Sequence, residues 1–234
     1  MQDIDVVILC GGKGSRLQQV VNDRPKPMAD INGRPFLDII LDYYYSFGFS
    51  KFILCLGYKA DFITTYYQNK KNKYEILFSA ENKVLGTAGA LKNAEELIHS
   101  NSFFVINGDS FCPINLTHFL DFHCNKKAQI SIALTTSNDV KEYGQIILDS
   151  SCKVVNFVEK SEKKVLAYIN TGIYIFNKKI FLDIPANNKF SIEYDLFPAF
   201  LNNRFYGFKT NTEFIDIGTP ERYEYAKKKF KLQI

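Results

Sequence analysis

A glycine-rich segment near the N-terminus has the residue types and spacing of a phosphate-binding loop. Gly11, Gly12 and Gly14 follow a short apolar run and precede Ser15 and Arg16. Glycine permits backbone conformations with φ > 0, and successive backbone N–H groups can bind phosphate oxygens. Glycines alone also suit a tight structural turn, so the loop indicates phosphate binding only together with other groups.

Two common glycine-rich phosphate motifs do not fit this loop. A P-loop requires a second glycine five positions after its first, and Arg16 stands five positions after Gly11. A dinucleotide-binding fingerprint requires a third glycine, and Leu17 occupies that position after Gly12 and Gly14. The sequence therefore predicts neither P-loop NTP hydrolysis nor NAD chemistry.

A lysine held between two prolines follows the glycine loop. Pro25 and Pro27 flank Lys26, and they restrict its backbone to extended conformations that hold the amine in place. Guanidinium and ammonium groups bind phosphate oxygens well. With Arg16 and the glycines, Lys26 therefore predicts a polyphosphate site.

Two aspartates are candidate ligands for a metal ion. Asp109 follows the apolar run Phe103–Asn107, and Asp216 lies in the apolar segment Phe214–Gly218. Hard oxygen ligands with few protein contacts suit Mg²⁺ bound to phosphates. From the residues alone, a role in a turn or at a helix N-cap is favoured over metal binding for each aspartate.

The alternation of apolar runs and helical patterns predicts an α/β fold with a largely parallel sheet. Strands are predicted at Val6–Cys10, Lys51–Leu56, Tyr74–Ala80 and Phe103–Asn107, and helices at Phe36–Phe47, Asp61–Asn69 and Ala88–His99. The second half predicts a mixed sheet that extends the same core, with strands at Gln129–Thr135, Gly144–Leu148, Val154–Val158 and Tyr168–Phe176. Helices are predicted at Ile192–Leu201 and Pro220–Phe230.

The composition is that of an ordinary globular protein. The 234 residues are 46% hydrophobic and 23% charged, with a net charge of +4 and scattered lysines, so no nucleic-acid surface is predicted. The five cysteines and three histidines show no metal-ligand or redox spacing, which favours free thiols in a reducing compartment. The acidic N-terminus predicts no secretory signal, and no run approaches the roughly 20 apolar residues of a membrane span. We expect a cytoplasmic protein that binds no membrane.

Further short motifs accompany the glycine loop and the proline-flanked lysine. They are Leu85–Gly89, Asn107–Asp109, Val158–Lys160, Asn170–Gly172 and Asp216–Pro220. In this order, the set resembles the signature of the sugar-1-phosphate nucleotidyltransferases and covers nearly the whole chain. Gly33–Leu37, Leu85–Leu91 and Phe190–Glu193 are most similar to the branch that makes GDP-D-glycero-α-D-manno-heptose. Cys10 departs from the family, which usually has alanine there, and a side chain this small should be tolerated.

The resemblance implies a fold and an activity. The fold is a mostly parallel, Rossmann-like sheet flanked by helices, with a mixed-sheet extension that binds the sugar. A single domain would span residues 1–234, with the nucleotide mainly in 1–125 and the sugar phosphate mainly in 126–234. The activity is attack by a sugar 1-phosphate oxygen on the α-phosphorus of an NTP, with Mg²⁺ and release of pyrophosphate. Because that nucleophile is already an anion, catalysis rests on positioning and charge neutralisation.

The resemblance also assigns roles to individual residues. The catalytic group would be Arg16, Lys26, Asp109 and Lys160, with the metal held by Asp109 and Asp216. The nucleotide would contact Cys10, Gly11, Gly12, Gly14, Ser15, Arg16, Lys26, Glu81, Gly86 and Thr87. The sugar phosphate would contact Gly144, Glu159, Lys160, Asn170, Gly172 and Glu193. Glu193 also suits first-turn charge on the helix predicted at Ile192–Leu201.

The identity of the base is suggested by one carboxylate. Glu81 and Gly86 match the region in which relatives read the base edge. A glutamate can accept hydrogen bonds from both N1–H and N2–H₂ of guanine, whereas uracil and thymine offer only N3–H. We therefore expect GTP, with Gly11 and Gly12 approaching the base and ribose through their backbone.

Two alternatives remain open at this point. One is another member of the family, acting on mannose or glucose 1-phosphate with GTP, UTP, CTP or dTTP. The other is a non-catalytic regulatory homologue that binds a nucleotide sugar, which should have lost Arg16, Lys26, Asp109 or Asp216. All four residues are present. Relatives often carry an extra C-terminal assembly domain and this chain ends soon after Asp216, so we expect a monomer or small homo-oligomer.

Overall fold

The structure, a computed structural model, describes residues 4–138, 143, 145–158 and 166–231. Gly144, Glu159 and Lys160, which the resemblance assigns to the sugar phosphate, lie outside these ranges. The strands are β1 Val6–Cys10, β2 Asp30–Ile31, β3 Arg34–Pro35, β4 Lys51–Leu56, β5 Glu75–Ala80, β6 Ser102–Asn107, β7 Ser110–Phe111, β8 Ile130–Ser137, β9 Gln145–Leu148, β10 Val154–Val158, β11 Ala167–Asn177, β12 Phe205–Lys209 and β13 Ile215–Asp216.

Six α-helices and four helical segments of other types accompany these strands within the described residues. The α-helices are α1 Phe36–Ser46, α2 Ala60–Asn69, α3 Gly86–Asn93, α4 Leu116–Asn125, α5 Phe197–Phe200 and α6 Pro220–Lys231. The others are 3₁₀ turns at Lys26–Met28, Glu95–Leu97 and Lys178–Asp183, and a π-helix at Ile192–Leu196. None of the helices in the described ranges is long and apolar enough to cross a membrane.

The predicted α/β architecture with a mixed sheet is confirmed. Within the described residues, nine strands form the central sheet, in which β1 lies between β4 and β6 and β5 flanks β4, all in parallel. The strand β11 then pairs antiparallel with β6, β8 and β9 and joins the two halves. On the far side of these, β12 pairs with β8 and β10 pairs with β9.

Helices cover both faces of the sheet, so its central strands are apolar on both sides. Alternate residues of β1 point to opposite faces, with Val6 and Ile8 in one core cluster and Val7 in the other. One cluster packs under α1, α2, α4 and α6, and the other under α3 and the segment 180–201. Burial on both faces explains why β1 and β4 read as continuous apolar runs in the sequence.

Two of the predicted helices differ from the structure. The helix expected at Ala88–His99 is α3 followed by a separate 3₁₀ turn. The helix expected at Ile192–Leu201 is a π-helix followed by α5. Here the Ser191 hydroxyl accepts hydrogen bonds from Glu193 N and Tyr194 N, and Pro198 near the start of α5 cannot donate a backbone hydrogen bond.

The carboxyl ends of the parallel strands converge on a small two-stranded ribbon. In it, β7 and β13 pair antiparallel, with Ser110 opposite Asp216. Beyond the ribbon, Ile217 N donates a hydrogen bond of 3.1 Å to Asp109 O. The ribbon therefore places the backbones of Asp109 and Asp216 side by side at the edge where α/β sheets bind ligands.

Candidate active site

A cavity of about 270 Å³ opens at the carboxyl ends of β1, β4, β5 and β6. Most of the residues that the sequence predicts for the nucleotide line it, namely Cys10, Gly11, Gly12, Gly14, Lys26, Glu81, Gly86 and Thr87, together with Asp109. Ser15 does not line this cavity, and Arg16 lies beside it, near Gly218. The predicted nucleotide residues are thus brought together around one opening.

The glycine loop is tightly packed at one of its three glycines. Gly14 has φ of +61°, and a β-carbon there would lie 3.0 Å from Lys26 Cβ. A β-carbon on Gly11 would contact Glu81 Oε1 and Gly57 N at 3.4 Å, whereas one on Gly12 would meet nothing within 4 Å. The structure therefore explains Gly14 by its backbone conformation and packing, and leaves the backbone of Gly12 open to a ligand.

Cys10 is accommodated at the end of β1, as the sequence leads us to expect. Its side chain is buried, and a β-carbon added to Gly108 would lie 2.9 Å from the Cys10 Sγ atom. Burial raises the pKa of the Cys10 thiol well above its usual range, and the nearby Cys55 and Asp109 add to the shift. This cysteine is therefore a neutral packing group. All five cysteines of the chain are free thiols.

Lys26 is held in place, but not by the extended backbone that its flanking prolines predict. Pro25 is extended, and Lys26 begins a 3₁₀ turn in which Met28 N donates to Pro25 O at 2.8 Å. The Lys26 side chain is 12% exposed, and its Nζ atom lies 2.6 Å from Asp109 Oδ2. The turn and this ion pair together aim the ammonium group at the cavity.

Gly218 marks the point at which the four predicted charged groups meet. A β-carbon added there would lie 2.6 Å from Asp216 Oδ1, 3.6 Å from Lys26 Nζ and 3.8 Å from Arg16 Nη2. Lys26 is bonded in turn to Asp109. Two cations and two carboxylates therefore surround one small volume beside the glycine loop, an arrangement suited to a polyphosphate and a cation.

The donor set at this point fits Mg²⁺. No cluster of three or more His, Cys, Asp or Glu side chains that could hold a metal exists among the described residues. Mg²⁺ is usually held by one or two carboxylates, with water and substrate phosphates as its remaining ligands. Asp109 and Asp216 supply two carboxylates on adjacent backbones, and the Asp109 carboxylate, 40% exposed, is open to the cavity.

Glu81 lies at the end of β5, on the opposite side of the cavity. Its Oε2 atom accepts a hydrogen bond of 3.0 Å from Leu85 N, and its Oε1 atom faces Gly57 and Gly11. Burial raises the pKa of the Glu81 carboxyl, although the bond from Leu85 opposes this shift. The rest of its oxygen lone pairs are available to hydrogen-bond donors in the cavity.

The amino end of α3 is joined to the segment before the π-helix. Ala88 N and Gly89 N both donate to Phe190 O, at 2.9 and 3.0 Å. Thr87 Oγ1 accepts from Ile192 N at 2.7 Å and lies 3.2 Å from Glu193 Oε2. Because Phe190 O accepts from both of these amides, the N–H groups of Ala88 and Gly89 are not available to a ligand.

Glu193 links that segment to the sugar side of the predicted site. Its Oε1 atom accepts from the buried Tyr174 hydroxyl at 3.3 Å, and this hydroxyl accepts from Asn170 Nδ2 at 2.7 Å. Asn170 Oδ1 accepts in turn from Gly172 N at 2.8 Å. Glu193, Asn170 and Gly172 therefore belong to one hydrogen-bonded network, and Thr87 belongs to the same network.

Gly172 connects this network to the strand that leads to Asp109. It has φ of +73°, and a β-carbon there would lie 2.7 Å from Asn107 Nδ2. Glycine is needed at this position both for its backbone conformation and for the close approach of Asn107. The contact between β6 and β11 thus places Gly172, a predicted sugar-phosphate residue, against Asn107, which lies two residues before Asp109.

Some residues of this site have no motif that points to them. The Tyr143 hydroxyl donates to Asp216 Oδ2, and Arg222 Nη1 lies 3.4 Å from the same carboxylate. Tyr174 and Gly57 are equally unmarked in the sequence. The only available signal was their position, since Tyr143 precedes Gly144 and Arg222 follows the Asp216–Pro220 motif.

Comparison with known proteins gives full-length matches. A sequence profile of the family described as nucleotidyl transferase matches residues 5–232. The chain is 38% identical, over 97% of its length and 99% of the relative, to a D-glycero-α-D-manno-heptose 1-phosphate guanylyltransferase of Aneurinibacillus thermoaerophilus. It is 37% identical to the enzyme of the same name from Campylobacter jejuni, over 94% of this chain and 97% of that one.

A solved structure is similar over the same extent. HddC from Yersinia pseudotuberculosis, in its complex with GMP-PN, superimposes with a TM-score of 0.86 at 40% sequence identity. The match covers 97% of this chain and 99% of HddC. The fold is therefore shared along nearly the whole length of both chains.

Proposed function

Because this chain belongs to the nucleotidyl transferase family, we propose that it transfers a guanylyl group from GTP to D-glycero-α-D-manno-heptose 1-phosphate. The class of enzyme, a sugar-1-phosphate nucleotidyltransferase, is established by the family and the full-length relatives. The observation that carries the proposal is the convergence of Arg16, Lys26, Asp109 and Asp216 beside the glycine loop. The product would be a GDP-sugar for surface glycan synthesis, and pyrophosphate would leave.

The phosphate chemistry would rest on the two cations. Arg16 and Lys26 offset the negative charge of the triphosphate and the charge that builds up on the departing pyrophosphate. Lys26 needs no movement of its backbone to do so, since its 3₁₀ turn already directs Nζ into the cavity. By the resemblance, Lys160 contributes a further cation at the sugar phosphate, with Glu159 and Gly144 beside it.

Asp109 and Asp216 would hold Mg²⁺, which would neutralise charge on the phosphate oxygens. In the structure, Lys26 already compensates the charge of Asp109. Lys26 is therefore positioned to pass from this carboxylate to a phosphate oxygen when the substrates bind. Such an exchange keeps the charge of the site nearly balanced in both states.

Glu81 would select the base. Its ionised carboxylate accepts hydrogen bonds only, which suits the adjacent N1–H and N2–H₂ donors of guanine. Its position between Leu85 N and the backbone of Gly57 and Gly11 supports this assignment, because the carboxylate has little freedom to turn away. Gly86, with φ of +73°, and Gly12 would present backbone to the nucleotide.

The sugar would lie on the network of Glu193, Tyr174, Asn170 and Gly172. Sugar hydroxyl groups both donate and accept, and Glu193 Oε1, which accepts from the Tyr174 hydroxyl, can accept another hydrogen bond. The names of the two guanylyltransferases described above support a manno-configured heptose as the sugar. The sugar phosphate would then reach the Asp109 side of the cavity across the contact between Gly172 and Asn107.

The proposal is tested by measuring pyrophosphate release with Mg²⁺ for each pairing of GTP, UTP, CTP and dTTP with mannose, glucose and manno-heptose 1-phosphates. We expect release with GTP and the heptose phosphate, and a loss of at least about 100-fold in Asp109→Asn. Asp23→Asn is the matched control, because Asp23 forms an exposed ion pair with Arg24. Release with a different pair would overturn the base or sugar assignment, and silence with a folded protein would overturn the assignment of the heptose phosphate and GTP as substrates.

A further inference from the structure

The Asp216 carboxylate is surrounded by donors that the reaction itself does not require. Its Oδ1 atom accepts a hydrogen bond of 2.7 Å from Gly218 N, and its Oδ2 atom accepts one from the Tyr143 hydroxyl. Arg222 Nη1 lies 3.4 Å from both oxygens. The Asp216 side chain is 11% exposed, and because each of its oxygens accepts a hydrogen bond, rotation of the carboxylate is restricted.

Tyr143 is itself held in place by two side chains. The Arg222 guanidinium carbon lies 4.7 Å from the centre of the tyrosine ring. The Phe214 ring meets the same tyrosine edge to face, with centroids 5.2 Å apart and an interplanar angle of 85°. Both contacts are of the kinds that favour defined aromatic geometry. The hydroxyl that contacts Asp216 is thus aimed by its surroundings.

We propose that Tyr143 is a positioning residue whose hydroxyl orients the Asp216 carboxylate toward the divalent metal. The inference rests on the proposed function, because it takes Asp216 to be a metal ligand. A carboxylate oxygen has about two lone-pair sites, and one close donor occupies one site on each Asp216 oxygen. A β-carbon on Gly218 would lie 2.6 Å from Asp216 Oδ1, 3.6 Å from Lys26 Nζ and 3.8 Å from Arg16 Nη2, so this oxygen lies beside the volume that the two cations share.

Tyr143 also joins the metal carboxylate to the sugar side of the site. It directly precedes Gly144, which the sequence assigns to the sugar phosphate, and it packs with Ala167 and Ile169 of β11. Asn170, the next residue of that strand, belongs to the network of Glu193. Partners that orient a metal ligand typically contribute about 10- to 100-fold in metal affinity.

The test measures how much the metal contributes to nucleotide binding. The Kd of GTP is determined by calorimetry in excess Mn²⁺ and again in EDTA, without sugar phosphate so that no reaction occurs. The ratio of the Kd in EDTA to the Kd in Mn²⁺ reports how much the metal strengthens nucleotide binding. We expect Tyr143→Phe to lower this ratio about tenfold or more, with the Kd in EDTA unchanged. Because the phenylalanine ring keeps its contacts with Arg222 and Phe214, the variant should fold.

Two further variants separate the possible outcomes. Tyr225→Phe is the matched control, since Tyr225 on α6 donates to Glu213 rather than to Asp216, and we expect a wild-type ratio. Asp216→Asn should lower the ratio further than Tyr143→Phe. An unchanged or higher ratio in Tyr143→Phe, beside a lowered one in Asp216→Asn, overturns the role of Tyr143 alone. A wild-type ratio in Asp216→Asn contradicts the metal site, and the inference with it.

Discussion

Glu81 and Gly57 face each other across the ends of the paired strands β4 and β5, and a β-carbon on Gly57 would lie 2.6 Å from Glu81 Oε1. The same point would lie 2.8 Å from Gly11 O. Only glycine therefore allows the three strand ends to come together here. The position of the Glu81 carboxylate depends on the absence of a side chain at residue 57.

Replacing Glu81 with glutamine tests the choice of base. Glutamine keeps one acceptor, which can still bind Leu85 N, but its amide adds donors that face those of guanine. We expect kcat/KM for GTP to fall by about 10- to 100-fold, since hydrogen bonds to charged groups contribute about 1.5–3 kcal/mol. The measurement is kcat/KM for GTP and UTP. Glu224→Gln, which alters an exposed ion pair with Lys227, is the control. An unchanged preference in Glu81→Gln would show that another group reads the base.

Removing the Tyr174 hydroxyl tests the sugar network. In Tyr174→Phe, Asn170 Nδ2 and Glu193 Oε1 each lose a partner. We expect the KM for the sugar phosphate to rise several-fold and the KM for GTP to stay unchanged. The free energy of unfolding should fall by about 1–2 kcal/mol. Tyr43→Phe removes a comparable hydrogen bond, to Ile114 O at 2.6 Å, away from the site. It should destabilise the fold without altering either KM, and equal KM changes in both variants would argue against the network.

Two glycine substitutions separate crowding within the protein from contact with the ligand. Gly218→Ala would push a methyl group to 2.6 Å from Asp216 Oδ1, so the carboxylate must move. We expect kcat to fall by at least about 100-fold, as for other losses of charge stabilisation. In Gly12→Ala, the added β-carbon would have no protein atom within 4 Å, so the variant should fold normally. We expect a raised KM for GTP as its only effect. Steady-state kinetics and thermal unfolding would check both. Nearly wild-type kcat in Gly218→Ala would contradict this view of the site.

The buried His123 predicts a loss of stability in acid. Its ring contacts the hydroxyls of Ser131 and Ser102, at 2.9 and 3.3 Å. Burial lowers its pKa from 6.5 to about 4. Between these values the unfolded chain binds a proton that the folded protein does not, so stability is full above pH 6.5 and falls as the pH drops toward 4.

Because of His123, we expect the free energy of unfolding to fall by about 2 kcal/mol when the pH is lowered from 7.5 to 5. Urea unfolding at the two pH values, in wild type and in His123→Asn, isolates its contribution from that of the carboxylates. The asparagine does not titrate, so the variant should lose about 2 kcal/mol less than wild type over the same interval. Equal losses in both proteins would mean that His123 is protonated in the folded state.

The parallel half of the sheet was predictable because its strands are buried on both faces. The bounds predicted for β1 and β4 match the structure, since polar or glycine residues end each apolar run. The helix α4 was not predicted, although Asn115 caps it by accepting from His118 N. Its core face includes the polar His123 beside Leu116 and Phe119, which interrupts the apolar periodicity.

The strand β12 was also missed by the sequence analysis, because of a glycine. Gly207 stands at its centre and suggests a turn, yet a β-carbon there would come within 2.6 Å of Leu134 and 2.8 Å of Leu148. The glycine is needed for packing, not for a bend.

In the site, contiguous sequence motifs pointed to the glycine loop and to the charged residues. Tyr143 and Tyr174 act through contacts between distant segments, which a single sequence does not display.

The pairing of β7 with β13 has a consequence for the order in which the chain folds. It joins Ser110 to Asp216, which stand about a hundred residues apart, and closure of so long a loop is among the slower steps of folding. The parallel strands β1, β4, β5 and β6 can associate while the later part of the chain is still emerging from the ribosome. The two aspartates become neighbours only after residue 217 has left the exit tunnel, so a shorter growing polypeptide cannot bring the two carboxylates together.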